Sequence, residues 1–388
     1  MVWEGTMSKR IVASVLLIAV LLGGCAKNIE VRPGVYMSSD PADFPFPTSG
    51  YTVYIAGESH GNRETKLVFQ SYLNKLHEEA GLRDVILEED QAYETEANAY
   101  IHGLTDELPT GLCLRADILG QIREFNSNLA DDKKVTVHLV DVDSPFPIIY
   151  KHLTELHSQM GPMGGSIQIP DLSEIKYAKS ERLYGLVNDL RAVSAGQPDI
   201  LNGLDTVQLS LEWYYLGNQV DTGWPMGSRA QYAPIREDVI TKNVKYVLSQ
   251  LNDKPVLAFF GLFHGMKVEA DPNPPVKGFK SWAQRLTEEN IAVYSLAMFG
   301  ASGTSSWRGE TLSGDEEFLK EFKLADGTAL LSLFDTYPDP NIVYTDLRTK
   351  DNSTITLSSE LLDFPASRLF DGIIIFKKFT PMENTCPQ

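Results

Sequence analysis

Residues 51–61 read Tyr-Thr-Val-Tyr-Ile-Ala-Gly-Glu-Ser-His-Gly, and residues 255–265 read Pro-Val-Leu-Ala-Phe-Phe-Gly-Leu-Phe-His-Gly. Each run begins with a short apolar stretch, which predicts a buried β-strand, and ends in a Gly-x-x-His-Gly pentapeptide. Glycine at these positions permits a sharp turn or a close approach of the backbone. The sequence therefore predicts that His60 and His264 lie at the ends of two strands and form two halves of one site.

The segments around these runs alternate between strands and helices. Strands are predicted at 84–90, 134–143, 291–299, 341–345 and 372–376, the last at an edge of the sheet. Helices are predicted between them at 63–79, 91–103, 115–130 and 279–289. This alternation indicates an α/β fold with a mostly parallel central sheet flanked by helices.

The middle of the chain has a different character. Residues 146–252 are predicted to be mostly helical, as an insertion or cap between two parts of one α/β domain, 49–145 and 253–388. Residues 25–48 contain Pro33, Pro41, Pro45 and Pro47 and are predicted to be an extended tether.

The N-terminus has the pattern of a targeting segment. Lys9 and Arg10 precede an apolar stretch at 11–22, which is too short to span a bilayer as a mature helix. The small residues before Cys25 resemble the lipobox of bacterial lipoproteins, in which the chain is cut before the cysteine and the cysteine is acylated. Residues 1–24 are therefore predicted to be a lipoprotein signal peptide, although an ordinary signal peptide with an incidental cysteine is the alternative. Either Met1 or Met7 could be the start.

Composition restricts the partners. Without residues 1–24 the chain has 51 acidic and 32 basic residues, a net charge of −19. Nucleic acid is excluded as a partner because its binding needs clustered Lys and Arg. Contact with a membrane is expected through the N-terminal lipid only. The expected location is the cell envelope, on the outer membrane if the cell has two membranes. Cys113 and Cys386 could form a disulfide in an exported compartment or stay free thiols.

Ionisable residues follow several of the predicted strands. In parallel sheets, ligands bind outside the carboxyl ends of the strands, so His60, Glu88, Asp141 and His264 are expected to converge there. Such a cluster could bind a divalent metal such as Mn, Co or Zn through His60, Glu88 and His264, and so activate water. It could also work without metal, with a histidine as general base oriented by a carboxylate such as Glu58.

Other motifs narrow the reaction. Arg236 could donate to an anionic substrate group or a developing oxyanion. The sequence has no Gly-x-Ser-x-Gly elbow, no His-Glu-x-x-His, no P-loop and no Gly-x-Gly-x-x-Gly after the first strand. The pattern therefore predicts hydrolysis through activated water, with Glu58, His60, Glu88, Arg236 and His264 as the catalytic residues.

Four stretches resemble the erythromycin esterase family over roughly residues 50–300. They are the pentapeptide at 57–61, the strand at 85–90, Glu-Ala-Asn-Ala-Tyr-Ile-His-Gly at 96–103 and Arg-Glu-Asp-Val-Ile-Thr-Lys-Asn at 236–243. The wider superfamily includes haem-binding iron-uptake lipoproteins and Tiki/TraB metalloprotease-like proteins. The resemblance implies that His60 activates water, that Glu58 and Glu88 are its acidic partners, and that His264 and Arg236 complete the site. The first pentapeptide is one residue shorter than the usual esterase motif, and the second is more apolar.

The function expected from these observations is a surface-anchored hydrolase of small-molecule or peptide substrates. The alternative within the same superfamily is a haem- or metal-binding uptake lipoprotein, with Tyr214, Tyr215 or His264 as haem ligands. A third interpretation is a binding protein without catalysis.

Overall fold

The structure is a computed structural model of the chain. It describes residues 28–382 except 176–179, 220–225, 253, 269–279, 308–309, 314, 316–318, 320–321, 325 and 360–361. The predicted signal peptide, Cys25 and Cys386 lie outside the described residues.

The described residues form one nine-stranded sheet and two short hairpins. The strands are β1 (Ile29–Arg32), β2 (Val35–Ser38), β3 (Val53–Glu58), β4 (Asp84–Asp90), β5 (Thr136–Asp141), β6 (Val256–Gly261), β7 (Val293–Gly300), β8 (Thr304–Trp307), β9 (Glu310–Ser313), β10 (Ile342–Asp346), β11 (Thr356–Ser359), β12 (Leu362–Pro365) and β13 (Gly372–Phe376). The large sheet has the order β1-β2-β10-β13-β7-β3-β6-β4-β5, and β8-β9 and β11-β12 are the hairpins.

Six neighbouring strands of the sheet, from β13 to β5, are parallel, and β10, β2 and β1 are added in antiparallel fashion. The prediction of an α/β fold with a mostly parallel sheet is confirmed. The strands that carry the two pentapeptides, β3 and β6, are direct neighbours, with Glu58 opposite Gly261.

The N-terminal segment needs a correction. Residues 25–48 were predicted to be a tether, but β1 and β2 lie in this range and extend the sheet through β10. Val35 and Met37 on β2 are fully buried. Their period-2 spacing is that of a strand with one covered face, a signal that the nearby prolines obscured.

The last strand also differs from the prediction. The segment 372–376 was predicted to lie at an edge, yet β13 lies between β10 and β7. All five of its residues are buried. A continuous apolar run is what a strand covered on both faces requires, so the all-apolar sequence fits a central position better than an edge.

Helices connect the parallel strands. They are α1 (Glu64–Glu79), α2 (Glu94–Ile101), α3 (Ala116–Ser127), α4 (Phe146–Gln159), α5 (Leu172–Ile175), α6 (Ser180–Val193), α7 (Pro198–Gln219), α8 (Met226–Gln250), α9 (Trp282–Glu288), α10 (Leu333–Thr336) and α11 (Ala366–Leu369). Short 3-10 turns add Pro41–Asp43, Gln91–Tyr93, Thr110–Arg115, Asp131–Lys133, Gly161–Ser166, Leu262–Gly265, Leu330–Ser332 and Asn352–Thr354. Between β5 and β6 every described element is helical. Within the described part of the chain, none of the helices combines the length and the apolar character needed to span a bilayer.

Apolar side chains cover both faces of the sheet. One face packs against α1, α2 and α3 through residues such as Phe69, Ile101 and Ile122. The other packs against α8 and α9 through residues such as Ile240 and Trp282. The helices of 146–252 have a separate core around Leu153, Val187 and Leu204. With both faces covered, the strand ends are where ionisable side chains of the sheet meet solvent.

Candidate active site

The carboxyl ends of β3, β6, β4 and β5 form one continuous edge, because these strands are parallel neighbours. Glu58 is the last residue of β3, Gly261 the last of β6 and Asp141 the last of β5, while Glu88 lies near the end of β4. The structure therefore brings together all five predicted site residues.

The first half of the site is a chain of three side chains. His60 Nδ1 lies 2.9 Å from Glu58 Oε1. Arg115 donates from Nη1 to the same oxygen and from Nε to Glu89 Oε1 at 2.7 Å. Thr65 donates to the other Glu58 oxygen at 3.4 Å. Glu58 is thus fixed from several sides, and it fixes one nitrogen of the imidazole.

Electrostatics define the states of this half. Burial raises the pKa of Glu58, but Arg115 and His60 outweigh it and lower that pKa below its usual value. Glu58 is therefore a carboxylate at neutral pH, and it accepts a hydrogen bond from Nδ1 of His60. In the neutral tautomer that this bond selects, Nε2 is the unprotonated nitrogen. The imidazole is 28% exposed, whereas the Glu58 side chain is 1% exposed.

Gly261 explains how the imidazole fits beside the neighbouring strand. A Cβ atom at Gly261 would lie 2.8 Å from His60 Nε2 and 3.4 Å from Glu88 Oε2. The Gly261 N–H donates to Glu88 Oε2 at 2.6 Å. The first glycine of the second pentapeptide is therefore required by the histidine of the first, which ties the two motifs together sterically.

The second half of the site is a network of five charged groups. Arg236 donates from Nη2 to Glu88 Oε1 at 2.6 Å and from Nε to Asp141 Oδ1 at 2.8 Å. His264 Nδ1 lies 2.5 Å from Glu237 Oε1, and its Nε2 lies 3.4 Å from Glu88 Oε1. The carboxylates are at most 10% exposed, whereas the Arg236 side chain is 29% exposed and is the most accessible member of this half.

His264 is a cation at neutral pH. Burial lowers its pKa, but Glu237 and Glu88 outweigh that and raise the pKa to about 10. The pKa of Glu88 is raised by burial, yet His264 and Arg236 hold it well below its usual value. His264 therefore carries positive charge beside two buried carboxylates.

The predicted metal ligands do not fit a metal ion. Glu88 has one oxygen on Arg236 and the other on the Gly261 N–H, and His264 Nδ1 lies 2.5 Å from Glu237. Among the described residues, no group of three or more His, Cys, Asp or Glu side chains is arranged to hold a metal. The guanidinium of Arg236 takes the place between the carboxylates that a bound cation would need. In this structure His60 lies in the first half of the site, and Glu88 and His264 lie in the second, each with partners other than a metal ion.

The three consecutive acids at the end of β4 have three different partners. Glu88 binds Arg236, and Glu89 binds Arg115. Asp90 accepts from the Ser144 N–H at 3.1 Å, and burial together with the nearby Asp143 raises its pKa to about 9. The run therefore forms two ion pairs, and its third acid is a half-buried aspartate with a raised pKa.

The sequence reasoning missed Arg115 and Glu237 as members of the site. Arg115 is 2% exposed and lies in a 3-10 turn far along the chain, with no motif around it. Glu237 directly follows Arg236 in the sequence, but it pairs with His264 and accepts from the Trp282 N–H at 2.6 Å. Arg236 and Glu237 are adjacent residues of α8. Adjacent residues of a helix point in different directions, so the two side chains meet different partners.

The residues predicted as haem ligands do not stand out as an axial pair. Tyr214 and Tyr215 are half-buried on α7, where Tyr214 lies 5.5 Å from the ring of Phe146. His264 has Nδ1 engaged by Glu237. Haem binding stays a prediction.

Cys113 forms a disulfide, so the alternative of a free thiol is wrong for this residue. The other two cysteines, Cys25 and Cys386, lie outside the described residues. Cys113 is two residues before Arg115 in the same turn. The disulfide therefore restrains the turn that delivers the buried guanidinium to Glu58.

The charge of His264 predicts a pH dependence of stability. Its pKa is raised from 6.5 to about 10 on folding, so its stabilising contribution is complete below pH 6.5 and is lost as the pH rises through 10. We expect the free energy of unfolding in urea to fall between pH 7 and 10, and to fall less in His264→Gln. His77→Gln, at a surface histidine, is the control and should keep the wild-type slope. An unchanged slope in His264→Gln would contradict the assignment.

Comparison with known proteins supports the fold. No family model and no curated protein matches the sequence. Among solved structures, a protein from Bacillus cereus has a TM-score of 0.63 at 16% identity, covering 96% of this chain and 99% of that one. A succinoglycan biosynthesis protein has a TM-score of 0.61 at 13% identity, covering 98% and 99%.

An erythromycin esterase, EreC, as a mutant in its open conformation, has a TM-score of 0.63 at 13% identity. The alignment covers 87% of this chain and 93% of that one. At such identities the likeness shows the fold. It is the fold that the motifs at 57–61, 85–90 and 236–243 predicted.

Proposed function

We propose that this chain, which has the fold of an erythromycin esterase, is a lipid-anchored hydrolase that activates water with His60 and without a metal ion. The observation that carries the proposal is the Glu58–His60 pair. A buried carboxylate holds Nδ1 of a ring that remains 28% exposed at the carboxyl edge of the sheet. That is the arrangement of an oriented general base.

The two halves of the site have complementary tasks. Nε2 of His60 takes a proton from water as the oxygen attacks the carbonyl carbon of an ester or amide. The tetrahedral intermediate carries negative charge on the carbonyl oxygen. Arg236 and protonated His264 offer N–H groups for it. When the intermediate collapses, the carbon–oxygen or carbon–nitrogen bond breaks, and His60 returns the proton to the leaving group.

Buried carboxylates keep the donors in place. Arg236 is held by Glu88 and Asp141, and His264 by Glu237. Fixed donors need little reorganisation when the oxyanion forms, which is the physical basis of such stabilisation. We infer that the substrate is a small molecule or peptide, since the strongly acidic chain disfavours polyanions.

The anchoring part of the proposal rests on the sequence. Cys25 follows a charged and apolar leader and is the expected acylation site, which would place the protein in the cell envelope. Intact mass of detergent-extracted protein tests it. A mass that corresponds to cleavage before Cys25 plus acyl chains supports the anchor, and an unmodified Cys25 contradicts it.

The catalytic part is tested by His60→Ala in the form that lacks residues 1–24. Loss of a general base typically costs 10²–10⁴-fold, so we expect hydrolysis of an ester and peptide panel to fall by about that factor. His77→Ala is the matched control, because His77 contacts the Lys133 carbonyl on the surface. Equal activity in wild type and His60→Ala would remove His60 from the mechanism.

Gly261→Ala tests whether the second motif serves the first. The added Cβ would lie 2.8 Å from Nε2, so the imidazole must move while Arg115 holds Glu58 in place. A displacement of this kind can cost about 10²-fold in rate. Gly120→Ala, at a helical position with nothing within 4 Å, is the control. Retained hydrolysis in a folded Gly261→Ala variant would show that the ring does not need its position beside β6.

A further inference from the structure

The topology places the N-terminal end of β1 at the same edge of the sheet as the candidate site. β13 is parallel to β7 and β3, β10 is antiparallel to β13, β2 to β10 and β1 to β2. The direction reverses three times between β13 and β1. β1 therefore begins at the edge where β3 and β6 end.

The register gives the same result residue by residue. Ile29 pairs with Met37, Met37 with Val343, and Val343 with Ile375. Ile375 pairs with Phe299, one residue before the end of β7. Five strand spacings separate β1 from β3, which is about 24 Å along this edge.

Exposed apolar side chains occur along the same edge. Ile29 is 38% exposed at the start of β1, and Phe263 is 51% exposed in the turn that follows β6. Leu67 is 52% exposed in the first turn of α1, which begins shortly after β3. Together with Leu104 and Met163, these are the exposed large hydrophobic residues found in the described ranges. Three of the five thus lie near the site edge.

The position of Cys25 limits how far this edge can be from a membrane. Cys25 precedes Ile29 by four residues, which span at most about 14 Å when fully extended. The opposite edge of the sheet is about 20 Å farther away, because the parallel strands are about six residues long. A lipid on Cys25 thus reaches the site edge and not the other one.

We propose that the lipid on Cys25 holds the carboxyl edge of the sheet against a zwitterionic bilayer surface, so that the candidate site faces substrates dissolved in the membrane. The inference rests on the proposed anchor and hydrolase. Ile29, Leu67 and Phe263 contact the lipid, and the anchor supplies the affinity that an acidic chain cannot obtain from anionic lipids. The substrates are then esters or amides of membrane-resident amphiphiles.

Orientation is tested independently of activity. Acylated Phe263→Trp and Glu78→Trp variants are placed on phosphatidylcholine vesicles that contain lipids with brominated acyl chains. Glu78 is exposed near the end of α1, at the opposite edge, and both variants share the same native tryptophans. We expect bromine quenching of the added tryptophan at 263 and none at 78. Equal quenching, or protein that carries no lipid on Cys25, overturns the proposal.

A longer tether tests the consequence for substrates. Inserting about 20 Gly/Ser residues after Lys27 adds a linker with an r.m.s. length of about 25 Å. We expect hydrolysis of a long-chain ester in vesicles to fall by about tenfold, while a short water-soluble ester is hydrolysed at the original rate. Equal rates on the embedded ester overturn the membrane inference. Absence of hydrolysis of the soluble ester in both forms contradicts the hydrolase instead, and the quenching result still decides the orientation.

Discussion

Replacing Arg115 by Leu is expected to lower the free energy of unfolding by about 3–5 kcal/mol, the typical cost of removing one partner from a buried ion pair. Arg115 is 2% exposed and binds Glu58 and Glu89. Its loss leaves Glu58, which is 1% exposed, without the cation that lowers its pKa. Urea unfolding at pH 7 measures the change.

The pH dependence of the stability lost in Arg115→Leu identifies the cause of that loss. Because the pKa of Glu58 is lowered in the folded protein, its stabilising contribution is present above the unfolded pKa of 4.5 and is lost as the pH falls. The difference between wild type and Arg115→Leu should therefore narrow below pH 4.5. A difference that stays constant with pH would attribute the loss to packing alone.

Arg123→Leu is the matched control for this experiment. Arg123 also pairs with an acid, but its partner Asp106 is 96% exposed. Pairs of that kind contribute about 0–1 kcal/mol. Arg115→Lys adds a second comparison, because an ammonium group retains the charge but does not reproduce the two-sided geometry of the guanidinium. We expect the free energy of unfolding of Arg115→Lys to lie between those of wild type and Arg115→Leu.

Replacing Glu58 by Gln is expected to reduce hydrolysis by about 10²–10⁴-fold. A glutamine side chain keeps its carbonyl oxygen toward Arg115 and His60 Nδ1, because the guanidinium cannot accept from an amide N–H. The side chain is then neutral, so it no longer stabilises the positive imidazole that forms when His60 takes a proton from water. Comparable losses are known when the carboxylate of an oriented histidine is made neutral. Ester hydrolysis by the soluble form, together with urea stability, measures the effect.

Glu89→Gln separates this effect from the loss of a partner for Arg115. Glu89 accepts from the Arg115 Nε at 2.7 Å, and His60 is paired with Glu58 instead. Each variant neutralises one of the two carboxylates that contact Arg115, so both should lower the free energy of unfolding. Only Glu58→Gln should lose most of its rate of ester hydrolysis. Similar rates in the two variants would assign Glu58 a structural role.

Local sequence determined a large part of this protein. The alternation of apolar strands and amphipathic helices predicted the α/β fold, because each pattern is set by side chains within one element. The two pentapeptides predicted His60 and His264 at strand ends, and the acids after Leu87 placed Glu88 beside them. The rule that parallel strands share one carboxyl edge was enough to bring these residues together.

The tertiary structure decided the partners and the charges. Which strand is a neighbour of which depends on contacts between distant segments, so β1 and β2 were mistaken for a tether and β13 for an edge. Arg115 reaches Glu58 across 57 positions, and Arg236 reaches Glu88 across 148. Burial lowers the pKa of His264, and Glu237 and Glu88 outweigh that effect and raise it, whereas Glu58 contacts Nδ1 of the His60 imidazole. No local pattern reports a pKa, because it is set by the distance to other charges and by the exclusion of water.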